Sequence, residues 1–433
     1  MVGACASALQ LAYSDSVASM FLTTTVDYDV NLYGATKIFK SNMTAATYEI
    51  DTFDSQGSGQ QSMATLQRSS DYCLDGFIRI LFPALTIPPG EYTVASPAGW
   101  YTNAAACAYI MDCQLQNGSC TLERTNGTII LTRRQLLAVP QFLGEQIGYY
   151  NTTAGLVAAA QTPQLLYFPL QYGFSNEIGK ALPLASSYTS NFQLQVNTRR
   201  VDDLLCTDAF TTASEGTVFV KPVDPATANT PVLTMELLLR NATVTPDQRA
   251  RLNNSTIDYI WSGWTPMISQ SVQVGPQTTA LSRIALPFTQ PTIALYIIAQ
   301  DQRMISPSSP CQQFAMWSGP DGSEAIDAYE LQLDNQQRTM VTLAKEARTV
   351  YPLKQVGHKF WAYVYPIFFS LIQSLDTHSG SLDLGRPNDR TLILTIGNVE
   401  ARDQPPRYVT PVVLANVYLF MTKMRGFFSL VFN

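Results

Sequence analysis

Charge is scarce in this chain of 433 residues: Lys, Arg, Asp and Glu together make up 14%, against about 25% in an ordinary soluble domain. The 33 acidic residues outnumber the 27 basic ones, for a formal net charge of -6. A nucleic-acid surface needs clustered Lys and Arg. Here the notable basic clusters are only the pairs Arg133-Arg134 and Arg199-Arg200, and both read as solvated. Polar surface must therefore come from Ser, Thr, Asn and Gln. That is the habit of β-rich proteins with long loops, and of proteins that bury much of their surface against neighbours.

Histidine is scarcer still, with only His358 and His378. Two histidines cannot build the common three-ligand catalytic zinc sites without acidic or cysteine help. Seven cysteines are present (Cys5, Cys73, Cys107, Cys113, Cys120, Cys206 and Cys311), and no CxxC pair. Cys107, Cys113 and Cys120 are close enough to suggest a metal site, but tetrahedral zinc would need a remote fourth ligand. Buried free thiols are favoured, with one disulfide left open. P-loop, GxGxxG, HExxH and GxSxG motifs are all absent, and with them the chemistry each supports. Asp202-Asp203 offers two carboxylates, but adjacent strand residues point to opposite faces, so the pair reads as solvated surface. His378 beside Ser379 reads as loop, because sequence neighbours rarely have triad geometry. The expectation is no catalytic, cofactor-binding or metal-binding residue, and no cofactor.

Long apolar runs are also missing. The longest, residues 361–375, is shorter than the roughly 20 residues a membrane span needs, and Pro366 and Gln373 interrupt it. Aromatic and β-branched residues dominate it, so it reads as buried strand, bend and strand. The N-terminus lacks the basic region of a signal peptide. The expectation is a soluble chain made in the cytosol.

Strand and turn signals fill the rest. Residues 77–82 read as a strand ended by Pro83. Residues 110–116 lead into Asn117-Gly118, a hairpin signal. Residues 192–196 alternate as a half-buried strand does, and residues 391–396 form another strand. After a strand at 235–239, Thr245, Pro246 and Gln248 occupy the N-cap, first and third positions of a capping box, predicting a short helix to about Leu252. Length favours two domains. Gln114-Leu115-Gln116-Asn117 has a counterpart in Gln332-Leu333-Asp334-Asn335, which suggests an internal duplication.

Several segments, taken in order, resemble one family along nearly the whole chain. They are Leu32, Gly34, Ile38-Phe39-Lys40 and Glu49; Ala181-Leu182-Pro183-Leu184 with Tyr188 and the strand at 192–196; Arg249, Arg251 and Ile257-Asp258-Tyr259-Ile260; and residues 284–298. Tyr329 with the hairpin to Arg338 follows, then Ser379-Gly380, Arg386, Asn388-Asp389 and the strand at 391–395, and finally Tyr418, Gly426 and Phe432-Asn433. The resemblance is to the major capsid proteins of nucleocytoplasmic large DNA viruses. Two departures are visible: the basic residues and His usual after Lys40 are missing, and Gln290 stands where the family has His.

The resemblance implies an all-β fold of two tandem antiparallel eight-stranded jelly rolls with long loops. The first spans residues 1–245, a linker helix 246–254, and the second 255–433. It implies a structural, non-enzymatic protein forming pseudo-hexagonal homotrimers that tile an icosahedral shell of a large DNA virus. The implied partners are neighbouring capsomers and minor capsid proteins, without direct nucleic-acid contact and next to an internal viral membrane. The implied location is the virion, with assembly in the host cytoplasm. The alternative is a secreted or cell-surface β-sandwich that binds glycans, which would account for the Tyr, Trp and sequons but needs a signal peptide. Sequons occur at Asn42, Asn117, Asn126, Asn151, Asn241, Asn253 and Asn254. Asn117 falls in a hairpin and Asn241 at a strand end, leaving Asn126, Asn151, Asn253 and Asn254 as candidate glycosylation sites.

Overall fold

A computed structural model describes residues 24–430 apart from 32–33, 42, 56, 58, 93, 95, 137–143, 151, 176–179, 214–215, 255–256, 303–313, 315–316, 319–322, 335, 361, 372–378, 398–405 and 425. Cys5, Cys311, His378, Asn42 and Asn151 lie outside the described residues.

A strand hairpin, Thr24–Asn31 with Gly34–Ser41, precedes the main sheets. The first eight main strands in chain order are β1 (Met43–Thr52), β2 (Gln61–Thr65), β3 (Tyr72–Phe82), β4 (Ile110–Asn117), β5 (Cys120–Thr125), β6 (Gln164–Pro169), β7 (Phe192–Thr198) and β8 (Thr234–Val244). They pair antiparallel into two four-stranded sheets, β1-β8-β3-β6 and β2-β7-β4-β5. The next eight are β9 (Ile257–Ile268), β10 (Thr279–Ala285), β11 (Pro291–Asp301), β12 (Ala328–Leu333), β13 (Gln336–Gln337), β14 (Val364–Phe368), β15 (Arg390–Gly397) and β16 (Arg407–Met424). These pair as β9-β16-β11-β14 and β10-β15-β12-β13. Adding eight to every number in the first two orders yields the second two. One jelly-roll topology is therefore built twice. The second copy also carries short extra strands, Val272–Val274, Leu382–Asp383 and Phe427–Leu430 on one sheet and Thr342–Leu343 on the other, and so exceeds eight.

The suggested repeat falls at matching places. Gln114 to Asn117 ends β4, and Gln332-Leu333 ends β12, each the fourth strand of its roll. The first hairpin turns one residue later than the sequence signal suggests. Asn117 pairs with Cys120 inside the ladder, and Gly118, at φ 61°, begins the two-residue loop. The second hairpin places Asp334 at φ 52°.

Strand character follows from side-chain period. β7 alternates buried and half-buried residues, putting Phe192, Leu194 and Val196 into the core. β11 differs, being buried continuously from Thr292 to Ala299, as a strand covered on both faces must be.

The described helices are α1 (Ala105–Tyr109), α2 (Gly127–Leu136), α3 (Thr153–Ala160), α4 (Pro246–Asn254) and α5 (Ala344–Val356). Among the described residues, no helix is long and apolar enough to cross a membrane. The sequence pattern shows only α4. It follows β8, and β9 follows it in a different sheet. Arg249 ties it to the first roll, its Nε lying 2.6 Å from Oδ1 of the buried Asp71, whose other oxygen accepts from the Val244 N–H. Lys423 of β16 ties the other end, donating to the carbonyls of Leu252 (2.6 Å) and Asn253 (3.1 Å). Lys423→Met strips both carbonyls of a charged donor, and is expected to cost about 1.5–3 kcal/mol in denaturant titration. An unchanged midpoint would show that the clamp is not needed.

Candidate functional site

The two rolls meet along an edge of each. β5, the edge strand of one sheet in the first roll, runs against β9, the edge strand of one sheet in the second. Glu123 of β5 is buried there. Its carboxyl group accepts from the Gly173 N–H at 2.8 Å, with the Trp261 side chain of β9 beside it. The Trp261 side chain packs against the chain at Gly173, where an added Cβ would sit 2.1 Å from Trp261 Cδ1. Gly263 likewise leaves room for Leu419 and for Glu123 Oε1. At Gly173 only glycine allows the rolls to approach so closely.

Arg133 of α2 faces Glu123 and donates to the Gln171 carbonyl. Burial pushes the Glu123 carboxyl up to about 8, against the pull of the Gly173 N–H, Arg133 and Trp261. Burial also brings the Arg133 guanidinium down to about 10, against the pull of Glu123. The end of α2 reaches the second roll as well: Gln135 Oε1 accepts from the Ala362 N–H at 3.1 Å, and its carbonyl lies 2.7 Å from His358 Nε2. At the hairpin tip, Asn117 Oδ1 accepts from Ser190 (2.5 Å) and from the Phe428 N–H (3.2 Å), while its Nδ2 donates to Ser187 (2.8 Å). The Phe192 and Phe428 rings pack beside it, tilted at 46° with centroids 5.3 Å apart.

The arginine pairs are corrected. Arg133 and Arg134 are buried at 5% and 4% exposure, because α2 carries them into the junction, where Arg134 stacks over the Tyr149 ring at 4.8 Å. Arg199 is half-buried, donating to the Ala108 carbonyl at 3.1 Å, and only Arg200 is exposed.

Cys107 and Cys113 are buried free thiols, each pushed up to about 12 by burial, and Cys120 is a half-buried free thiol on β5. The Tyr172 hydroxyl donates to Cys113 Sγ at 3.2 Å. Among the described residues, no three His, Cys, Asp or Glu side chains are grouped to hold a metal ion. Asp202 sits on the surface with its Oδ1 3.4 Å from Lys221 Nζ. Of the sequons, Asn117 and Asn241 are wholly buried and hydrogen-bonded through Nδ2. Asn126 is half-buried and caps α2, accepting from the Ile129 N–H at 2.9 Å. Asn253 and Asn254 are exposed at the end of α4.

The sequence pattern missed Glu123, Gln135 and Asn117 as junction residues. Local pattern gives no signal for them, since each is polar on an element whose covering surface comes from the other roll.

Large apolar side chains are also left exposed at several places, two of which hold more than one. One is β1, the edge strand of its sheet, with Tyr48 at 70% and Ile50 at 55% exposure. The other is α5 with the residues leading into it, including Met340 at 83%, Leu343 at 55% and Leu353 at 57%.

Comparison with known proteins bears on what these surfaces serve. Residues 37–237 match the sequence model of a family described as the major capsid protein N-terminus. No curated protein sequence matches the chain. Among solved structures, the chain is similar to the PBCV-1 protein VP54 fitted into a reconstruction of the virophage Sputnik, with 17% identity, a TM-score of 0.70, and coverage of 92% of this chain and 99% of that one. The PBCV-1 virus capsid gives 16% identity, a TM-score of 0.69 and the same coverage. The Faustovirus major capsid protein gives 11% identity and a TM-score of 0.60, covering 88% of this chain and 91% of that one.

Proposed function

We propose that the chain is a major capsid protein of the kind large DNA viruses build, and that three copies close into a capsomer of pseudo-hexagonal outline. Such capsomers tile an icosahedral shell. The duplicated sheet order carries this reading. Two rolls of one topology, joined edge to edge in each chain, give six near-equivalent sides when taken three times. Lateral packing then needs only small adjustments at each contact. The rolls span residues 1–245 and 255–433, with α4 as the connector.

The low charge supports assembly. A chain with only 14% charged residues and exposed apolar side chains suits burial among neighbours better than free solution. Loops between strands make the contacts with adjoining capsomers and minor capsid proteins. The chain touches no nucleic acid, needs no metal or cofactor, lies close to an internal viral membrane, and assembles in the host cytoplasm. Asn253 and Asn254 are the open acceptors for any glycan.

Multi-angle light scattering on the folded chain should report three times its 47.7 kDa mass. A stable monomer at micromolar concentration overturns the trimer.

A further inference from the structure

The eighth strand of the second roll does not stop where its counterpart does. β8 ends at Val244, and Pro246 opens α4. β16 has 18 residues against 11 in β8. It pairs with β11 only as far as Val417 and then continues. From Met421 to Met424 the short strand Phe427–Leu430 folds back to pair with it. This terminal hairpin lies against β4 and β5 of the first roll.

Its contacts seal one end of that roll. Phe428 is at 0% exposure. Its ring packs on Phe192, a core residue of β7, and its N–H donates to Asn117 Oδ1 at the tip of the β4–β5 hairpin. The Gly426 carbonyl accepts from the Thr189 N–H at 3.2 Å. Gly426 is at φ 78°, and an added Cβ would sit 2.5 Å from the Tyr188 ring. The turn that folds the strand back therefore needs glycine. Lys423, on the β16 side of the hairpin, holds the Leu252 carbonyl at the end of α4.

The second roll shows the same place without such a strand. Asn117 and Leu333 are counterparts. Each is the last ladder residue of the fourth strand of its roll, before a two-residue loop that opens at positive φ, on Gly118 and on Asp334. Leu333 is apolar and buried at 2% exposure. Asn117 is a wholly buried amide, which costs free energy unless its polar atoms are bonded. One of its partners is the main-chain N–H of Phe428, supplied from beyond the eighth strand of the other roll. The tip of the first roll is thus built to receive a strand, and the tip of the second is not.

We propose that Phe427–Leu430 is a clasp. It supplies a ring and an N–H donor that the first roll lacks at its hairpin end. All of the second roll precedes it in the chain, so the first roll closes its core only once the second roll has formed. Until the clasp seats, β4, β5 and β7 stay loose at that end, and β5 carries Glu123 of the junction with it. The clasp makes completion of the first roll a checkpoint on completion of the second.

Hydrogen exchange on the full-length chain, resolved by peptide, tests the clasp. Phe428→Ala should speed exchange in β4, β5 and β7 at least about tenfold, because the cavity lowers the free energy of opening there. Exchange in β12 and β15 of the second roll should be unchanged. Gly426→Ala keeps every clasp side chain and strains only the turn, and should give the same pattern. If Phe428→Ala does not fold, Phe428→Leu keeps an apolar side chain at the site and should give that pattern at smaller amplitude. Faster exchange confined to β16 and residues 427–430 overturns the clasp, since the strand would then be held by the second roll without holding the first. Faster exchange spread equally over both rolls overturns it too. On refolding of the wild type with pulse labelling, β4 and β5 should gain protection together with β16. Protection of β4 and β5 well ahead of β16 overturns the checkpoint.

Discussion

Replacing Arg407 by Met is expected to cost about 3–5 kcal/mol of the second roll's stability, the usual effect of breaking a buried ion pair from one side. Arg407 opens β16 at 4% exposure. Its Nε donates to Asp301 Oδ2 at 2.8 Å, and its Nη1 to the Gly397 carbonyl at 3.0 Å. Asp301 ends β11 at 1% exposure. The pair therefore pins the end of β11 to the start of β16, and through Gly397 reaches β15 in the facing sheet. Met fills much of the arginine volume but leaves the Asp301 carboxylate buried without its cation. Adding Asp301→Leu should restore most of the loss, since two apolar groups leave no charge unpaired. Denaturant titration of the single and double variants makes the measurement. A single variant within 1 kcal/mol of wild type would show that the pair is not what holds the two sheets in register.

The second large effect is a pH dependence centred on Glu123. An unfolded glutamate titrates near 4.3, whereas burial holds Glu123 near 8 in the junction. Below about pH 4 both states carry the proton, and the carboxyl has no influence on stability. Between that pH and about 8 the folded chain keeps a proton that the unfolded chain has lost, so stability falls as pH rises. The slope approaches about 1.4 kcal/mol per pH unit and the total about 5 kcal/mol. Above about 8 the loss is complete. Glu123→Gln keeps acceptor oxygen for the Gly173 N–H and removes the ionisation. The gap between variant and wild type should therefore widen in the variant's favour from pH 5 to pH 8. Other carboxyls titrate in both proteins alike and cancel. A gap that stays constant across this window would mean that Arg133 fully compensates the charge. Because Glu123 binds the Gly173 N–H and faces Trp261 and Arg133 at the seam, the predicted loosening at high pH falls on the junction between the two rolls.

The sequence by itself determined the local elements and the class. Alternation at Phe192 to Val196 marks β7 because side chains on a strand alternate between core and solvent whatever lies beyond. Thr245-Pro246 places the start of α4 because capping and a fixed φ act within one turn. The scarcity of His and of catalytic motifs spoke against the common catalytic and metal sites before any coordinates. Tertiary structure decided the rest. Residues 127–136, with Gly127 and the β-branched Thr128, Ile129, Ile130 and Thr132, do not announce a helix. They become α2, and take Arg133 and Arg134 inside, because the second roll covers them at Gln135. The helix α5 holds Pro352 within it and escapes a periodic reading. Asn117 joins the ladder rather than the turn because Ser187, Ser190 and the Phe428 N–H occupy its amide. In each case the deciding partner lies tens to hundreds of residues away. Burial there depends on which edge of one roll meets which edge of the other, and residue periodicity within a segment holds no record of that.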